Sequence, residues 1–147
     1  MCRDFDDPWG QTTEELDASG KELGIGLLLR SGVKRVVELG RSLGAYSARL
    51  AGVGMTVRGT NVSTSAIGRA RSRYPGIDFV AADALDFEIY RAFDPDAVVM
   101  AEITWYILDK LDEPLERLRD ELPGKHLLHF PRTSVARDRA FVRGCGA

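Results

Sequence analysis

The sequence predicts an α/β fold: a Rossmann-like, mostly parallel sheet of five strands with helices on both faces. Three observations lead there. From Lys34 to Phe130, short apolar runs alternate with amphipathic stretches of helical period, the pattern of parallel strands joined by helical crossovers. The run Val36-Val37-Glu38-Leu39-Gly40-Arg41-Ser42-Leu43-Gly44-Ala45 reads as a buried strand that turns on Gly40 and resumes at Gly44 as a helix. Such a turn lets a ligand approach the backbone and meet the first N–H groups of the helix. Three further polar residues, Asn61, Asp83 and Glu102, each stand just past an apolar run, where open α/β sheets bind ligands.

The elements follow in order. Residues 1–12 form an acidic, irregular segment with a turn signal at Pro8-Trp9-Gly10. Thr12 or Thr13 caps a helix that contains Leu16 and Leu23 and runs to Leu29, weakened by Gly20, Gly24 and Gly26 and ended at Ser31-Gly32. Strands are expected at 34–39, 55–60, 77–81, 97–101 and 125–130. Helices are expected at 43–51, at 65–74 behind a Ser63 or Thr64 cap and a Pro75-Gly76 stop, and at 113–121 before Pro123-Gly124. The segment 13–130 is thus one domain, and 131–147 is a short tail in which 133–142 can form an arginine-rich helix. Nothing after Pro131 alternates like a strand pair, so His126-Leu127-Leu128-His129-Phe130 becomes a sheet edge. An unpaired apolar edge invites a homodimer, through that edge or an adjoining apolar face.

Composition narrows the function classes. The chain has 147 residues and a formal net charge of -2, so one core fits and no basic footprint for nucleic acid is present. No run reaches the roughly 18 apolar residues of a membrane span, and the start lacks a secretory pattern, which predicts a cytoplasmic protein. Cys2 and Cys145 lie at opposite ends and imply no disulfide framework. His126 and His129 fall on opposite faces of a strand, and no metal site is expected. Glycine is absent at Ser42 and at Ala45, so the dinucleotide fingerprint fits poorly.

Glu38-Leu39-Gly40-Arg41-Ser42-Leu43-Gly44 resembles the first motif of class I S-adenosylmethionine-dependent methyltransferases. Within that family it is similar to the subgroup that includes nodulation N-methyltransferases, which carries serine at the middle glycine and often begins with an Asp-Pro-Trp segment, as at Asp7-Pro8-Trp9. Val80-Ala81-Ala82-Asp83-Ala84 resembles the adenine motif, and 93–102 resembles the fourth strand with its motif. The likeness covers 7–130. The family sheet has seven strands, so five here imply a C-terminally shortened chain.

The resemblance implies S-adenosylmethionine as cofactor. Gly40, Ser42 and Gly44 would flank its methionine part, with Glu38 organising the loop. Asp83 would accept from the adenine amino group, and the Ala84 N–H would meet a ring nitrogen. Asn61 stands where the family has an acid that grips the ribose hydroxyls. Exchanging that charged acceptor for an amide costs on the order of 1 kcal/mol or slightly more. Local roles compete with each of these: Gly40 and Gly44 can serve βα packing alone, Asp83 can cap the turn through Asp86, and Asn61 can be a turn residue. Arg41 pairs with Glu38 or the cofactor carboxylate, or is a solvated surface cation.

Glu102 is the expected acceptor-positioning group. Trp105 and Tyr106 are expected to wall the acceptor side, with Tyr106 grouped with Glu102 as catalytic; Trp105 reads equally well as core. The implied reaction is direct methyl transfer to nitrogen or oxygen of a small polar metabolite, with alignment and a dry pocket supplied by the protein. The alternative is a non-catalytic S-adenosylmethionine-binding or interaction protein on a truncated methyltransferase fold.

Overall fold

The computed structural model describes residues 18–40, 43–101 and 111–130. They form α1 (Ala18–Arg30), β1 (Arg35–Gly40), α2 (Ala45–Gly52), β2 (Thr56–Asn61), α3 (Thr64–Arg73), β3 (Asp78–Ala81), α4 (Phe87–Phe93), β4 (Ala97–Ala101), α5 (Asp112–Glu121) and β5 (His126–Phe130). All five strands are parallel, in the order β3-β2-β1-β4-β5. Each expected strand is present to within a residue or two.

Alternation along the central strands builds a core on each face. Val36 and Val99 join Ile25 and Leu28 of α1 and Tyr46 and Leu50 of α2. Their neighbours Val37, Leu39, Val98 and Met100 join Phe87, Tyr90 and Phe93 of α4 and Leu118 of α5. Both faces are therefore covered, and β1 and β4 are near-continuous apolar runs for that reason. A third cluster, Ile67, Ala70 and Phe79, packs α3 on β3.

Two features depart from expectation. Helix α4 was not among the expected elements, yet Phe87, Tyr90 and Phe93 recur at three-residue spacing on its buried face. It ends at Asp94, whose φ of 50° makes it the one left-handed non-glycine among the described residues, with Pro95 following. Second, Gly24 does more than weaken α1: a Cβ there would collide with the Phe130 ring and lie 2.9 Å from Leu128. The glycine is what lets α1 lie against β5. Helix α3 starts as expected, with the Ser63 hydroxyl accepting from the Ala66 N–H at 3.2 Å.

Candidate functional site

Strand order fixes where a ligand can enter. The chain leaves β1 through α2 on one face, then returns from β3 through α4 on the other to place β4 on the opposite side of β1. The connections diverge between β1 and β4, which opens a crevice at their carboxyl ends. Register brings the strand ends level: Gly40 lies beside Ala101, and Asn61 lies beside Ala81.

Glu38 follows Val36 onto the α2 face and is 2% exposed. The Ser47 hydroxyl of α2 donates to its Oε2, and the Thr60 hydroxyl donates to its main-chain carbonyl at 3.1 Å. A buried carboxylate needs such donors to offset lost hydration. Nearby, burial and then the Glu38 charge push the Tyr46 phenol well above its ordinary range, so it stays protonated.

The turn expected at Gly40 is displaced. Gly40 completes β1 in extended backbone, and the left-handed residue is Gly44, with φ 88°, at the N-cap of α2. A Cβ at Gly44 would lie 2.6 Å from Phe79 Cζ and 3.1 Å from Tyr74 Cδ2. Conformation and packing therefore both demand glycine here, and the βα packing role is realised. Gly59 of β2 makes room for the same ring, since its Cβ would lie 2.6 Å from Phe79 Cδ1. Arg41 and Ser42 lie outside the described residues, as do Trp9, Glu102, Trp105 and Tyr106.

Asn61 ends β2 and is 6% exposed. Its Oδ1 accepts from the Ser63 N–H at 2.9 Å, and its main-chain carbonyl accepts from the Ala82 N–H at 3.1 Å. The first bond is the turn role; the second ties the end of β2 to the segment leading to Asp83. Asp83 adopts its capping role as well. Its Oδ1 accepts from the Leu85 N–H at 2.9 Å, and its carbonyl accepts from the Asp86 N–H at 3.1 Å and from the Tyr90 hydroxyl. Asp83 is exposed, and Ala84 is half-buried in the same turn.

Tyr90 was missed in the sequence, and its signal was the Phe87, Tyr90, Phe93 spacing. Burial pushes its phenol well above the ordinary range, so it remains a donor to the Asp83 turn from beneath. The structure thus gathers Glu38, Gly40, Gly44, Asn61, Asp83 and Ala84 at the carboxyl ends of three neighbouring strands. Their local roles do not exhaust them. Among the described residues, the Asp83 side chain uses one oxygen and the Asn61 side chain uses its carbonyl oxygen. An acceptor and a donor remain for a ligand, the pairing that an adenosyl group with its amino group and ribose oxygens can satisfy. No group of metal-ligating side chains occurs among the described residues, and none of the helices searched is long and apolar enough to cross a membrane.

The sequence model described as Nodulation protein S (NodS) matches residues 2–142. A crystal structure of N-methyltransferase NodS from Bradyrhizobium japonicum WM9 in complex with S-adenosyl-l-homocysteine is 27% identical, with a TM-score of 0.68, over 86% of this chain and 67% of that one. A second NodS structure from the same organism is also 27% identical, with a TM-score of 0.58, over 90% of this chain and 79% of that one. The sugar N-methyltransferase KedS8 from Streptoalloteichus sp ATCC 53650 shares the fold at 20% identity and a TM-score of 0.65, over 86% of this chain and 52% of that one. No curated protein matches the chain.

Proposed function

The chain belongs to the nodulation protein S family, and on that premise we propose that it is an S-adenosylmethionine-dependent methyltransferase acting on a small polar metabolite. The observation that carries this reading is the family match along nearly the whole chain. A nitrogen acceptor is preferred over oxygen, because the similar NodS structures are of an N-methyltransferase.

When bound, S-adenosylmethionine supplies an activated methyl group on a sulfonium. The residues assigned to hold it are Glu38, Gly40, Ser42 and Gly44 on the methionine side, Asn61 at the ribose, and Asp83 with Ala84 at the adenine. Support comes from the convergence of Glu38, Gly40, Gly44, Asn61, Asp83 and Ala84 at neighbouring strand ends and from the Asp83 oxygen that has no partner among the described residues. The Glu38 carboxylate, held by Ser47 and the covering α2, fixes the end of β1. Tyr90 and the Leu85 N–H hold the Asp83 turn in place, so an adenine partner need not be ordered at the moment of binding. Glu102 and Tyr106 follow β4 in the sequence and are assigned to the acceptor, Glu102 to orient an amine and Tyr106 to wall it.

Calorimetry with S-adenosylmethionine and S-adenosylhomocysteine tests the cofactor, with Kd in the micromolar range or weaker expected. No heat and no thermal shift at millimolar ligand would end this reading. Methyl transfer from labelled cofactor across amines and alcohols then tests catalysis. Binding without transfer to any of them would leave the non-catalytic alternative.

A homodimer is assigned to β5, an edge strand of the described sheet on which Leu127 is 45% exposed. Light scattering tests it: the dimer should dissociate in Leu127→Lys, and a monomeric wild type would dismiss it.

A further inference from the structure

Resting on the cofactor reading above, we infer that Asn61 meets the adenosyl ribose as a hydrogen-bond donor, through Nδ2, and so sets which riboses the site accepts. Three observations carry this. The Ser63 N–H sits 2.9 Å from Asn61 Oδ1. A backbone N–H can only donate, so the amide cannot flip: the reverse orientation would set two donors against each other. Nitrogen and oxygen are therefore assigned by chemistry.

Second, the Nδ2 group is left over. Among the described residues it meets no acceptor, although the residue is 6% exposed. No fully buried side-chain nitrogen or oxygen among them lacks a partner, so Nδ2 belongs to the small part of Asn61 that remains accessible. A mostly buried amide with one anchored end presents the other end in a fixed direction.

Third, the start of the following helix favours electron-rich oxygen. The first turn of α3, which begins three residues later, contains no acidic residue. The Ser63 and Ser65 hydroxyls lie 3.0 Å apart at its start, and helix N-termini favour negative charge.

An acid at this position would accept from ribose hydroxyls and repel a phosphate attached to one of them. Asn61 does the reverse: it needs an oxygen that accepts, and it tolerates a substituent that removes the hydroxyl hydrogen. The ligand class is therefore an adenosyl group whose 2′ or 3′ oxygen is either free or carries an anionic group.

The test uses the full chain and competition calorimetry against S-adenosylhomocysteine, with adenosine, adenosine 2′-monophosphate and adenosine 3′-monophosphate as probes. In the wild type, at least one monophosphate should bind within threefold of adenosine, or tighter. Asn61→Asp keeps an acceptor for the Ser63 N–H and turns the free end into an acceptor. It should tighten S-adenosylhomocysteine several-fold and weaken that same monophosphate at least tenfold relative to adenosine. Wild type that rejects both monophosphates more than tenfold would overturn the inference, and this arm needs no variant to fold. An unchanged preference in Asn61→Asp would overturn it too. Failure of S-adenosylhomocysteine itself to bind would remove the cofactor reading and this inference together, whereas normal binding with either of the other results removes only the inference.

Discussion

The two ends of the sheet solve the same problem in different ways. At the amino end, polar groups join strands to the segments that precede them. The Asp96 carboxylate accepts from the Lys34 and Arg35 N–H groups at 2.8 and 2.9 Å. The guanidinium groups of Arg35 and Arg58 lie 4.5 and 4.9 Å from the Phe93 ring centroid, and Arg35 also donates to the Phe93 carbonyl. At the carboxyl end, the Asp83 side chain accepts from the Leu85 N–H through one oxygen, and Asn61 Nδ2 meets no acceptor among the described residues. Strand β1 belongs to both ends: it starts among contacts that join strands to their connections and finishes near the Asp83 and Asn61 side chains, which each keep an atom without a partner among the described residues. Polar groups bonded across the fold stabilise it, and groups held in place with an atom to spare are what a ligand can use.

If that contrast is right, changes at the two ends should separate stability from binding. The largest loss is expected for Phe93→Ala, which deletes a core ring and the seat of two cations. It should cost about 3–5 kcal/mol in urea unfolding, while the milder Phe93→Leu leaves S-adenosylhomocysteine affinity within about twofold. An affinity change as large as the stability change would erase the distinction between the ends.

Gly44→Ala comes next and should hit both properties. A left-handed backbone and a collision with Phe79 together cost about 2–4 kcal/mol, and affinity should fall by about tenfold or more if the start of α2 meets the ligand. Loss of stability with unchanged affinity would reduce Gly44 to a packing residue.

Ser47→Ala removes a charge-assisted hydrogen bond to Glu38, at a cost of about 1.5–3 kcal/mol. Because Glu38 is also assigned to fix the cofactor loop, calorimetry should show weaker binding as well.

The smallest effect is expected from acid. The Lys34 N–H and then the Arg35 N–H hold the Asp96 carboxyl below its usual range. The unfolded chain therefore takes up this proton at a higher pH than the folded one. The stabilising share is fully present above the ordinary carboxyl pKa of about 3.9 and is lost as pH falls through the lower folded value. The stability gap between wild type and Asp96→Asn should accordingly narrow on acidification below about pH 4. A gap that widens would mean that Asp96 is not held as the hydrogen bonds indicate.

Much of this was readable in advance. Lys34 to Leu39 and Ala97 to Ala101 are short apolar runs flanked by helical patterns, and such runs have few options but parallel strands buried on both faces. The Ser63 cap was readable because capping depends on residues three apart. The α4 helix was not recognised, since Phe87 to Phe93 is short and an aromatic-rich run suits strand and helix alike. Its helical state is decided by the sheet face that Phe87, Tyr90 and Phe93 cover.

The amino-acid order by itself determined the parallel α/β architecture, the strand positions and the set of polar residues at the strand ends, because periodicity and turn chemistry act over a few residues. Tertiary structure alone decided that Gly44 yields to Phe79, that Tyr90 supports the Asp83 turn, and that Asn61, although anchored locally by Ser63, is buried at a strand end with its Nδ2 group meeting no acceptor among the described residues. These outcomes depend on segments distant along the chain being brought into contact, and no local pattern encodes which ring will fill which space or which atom will be left without a partner.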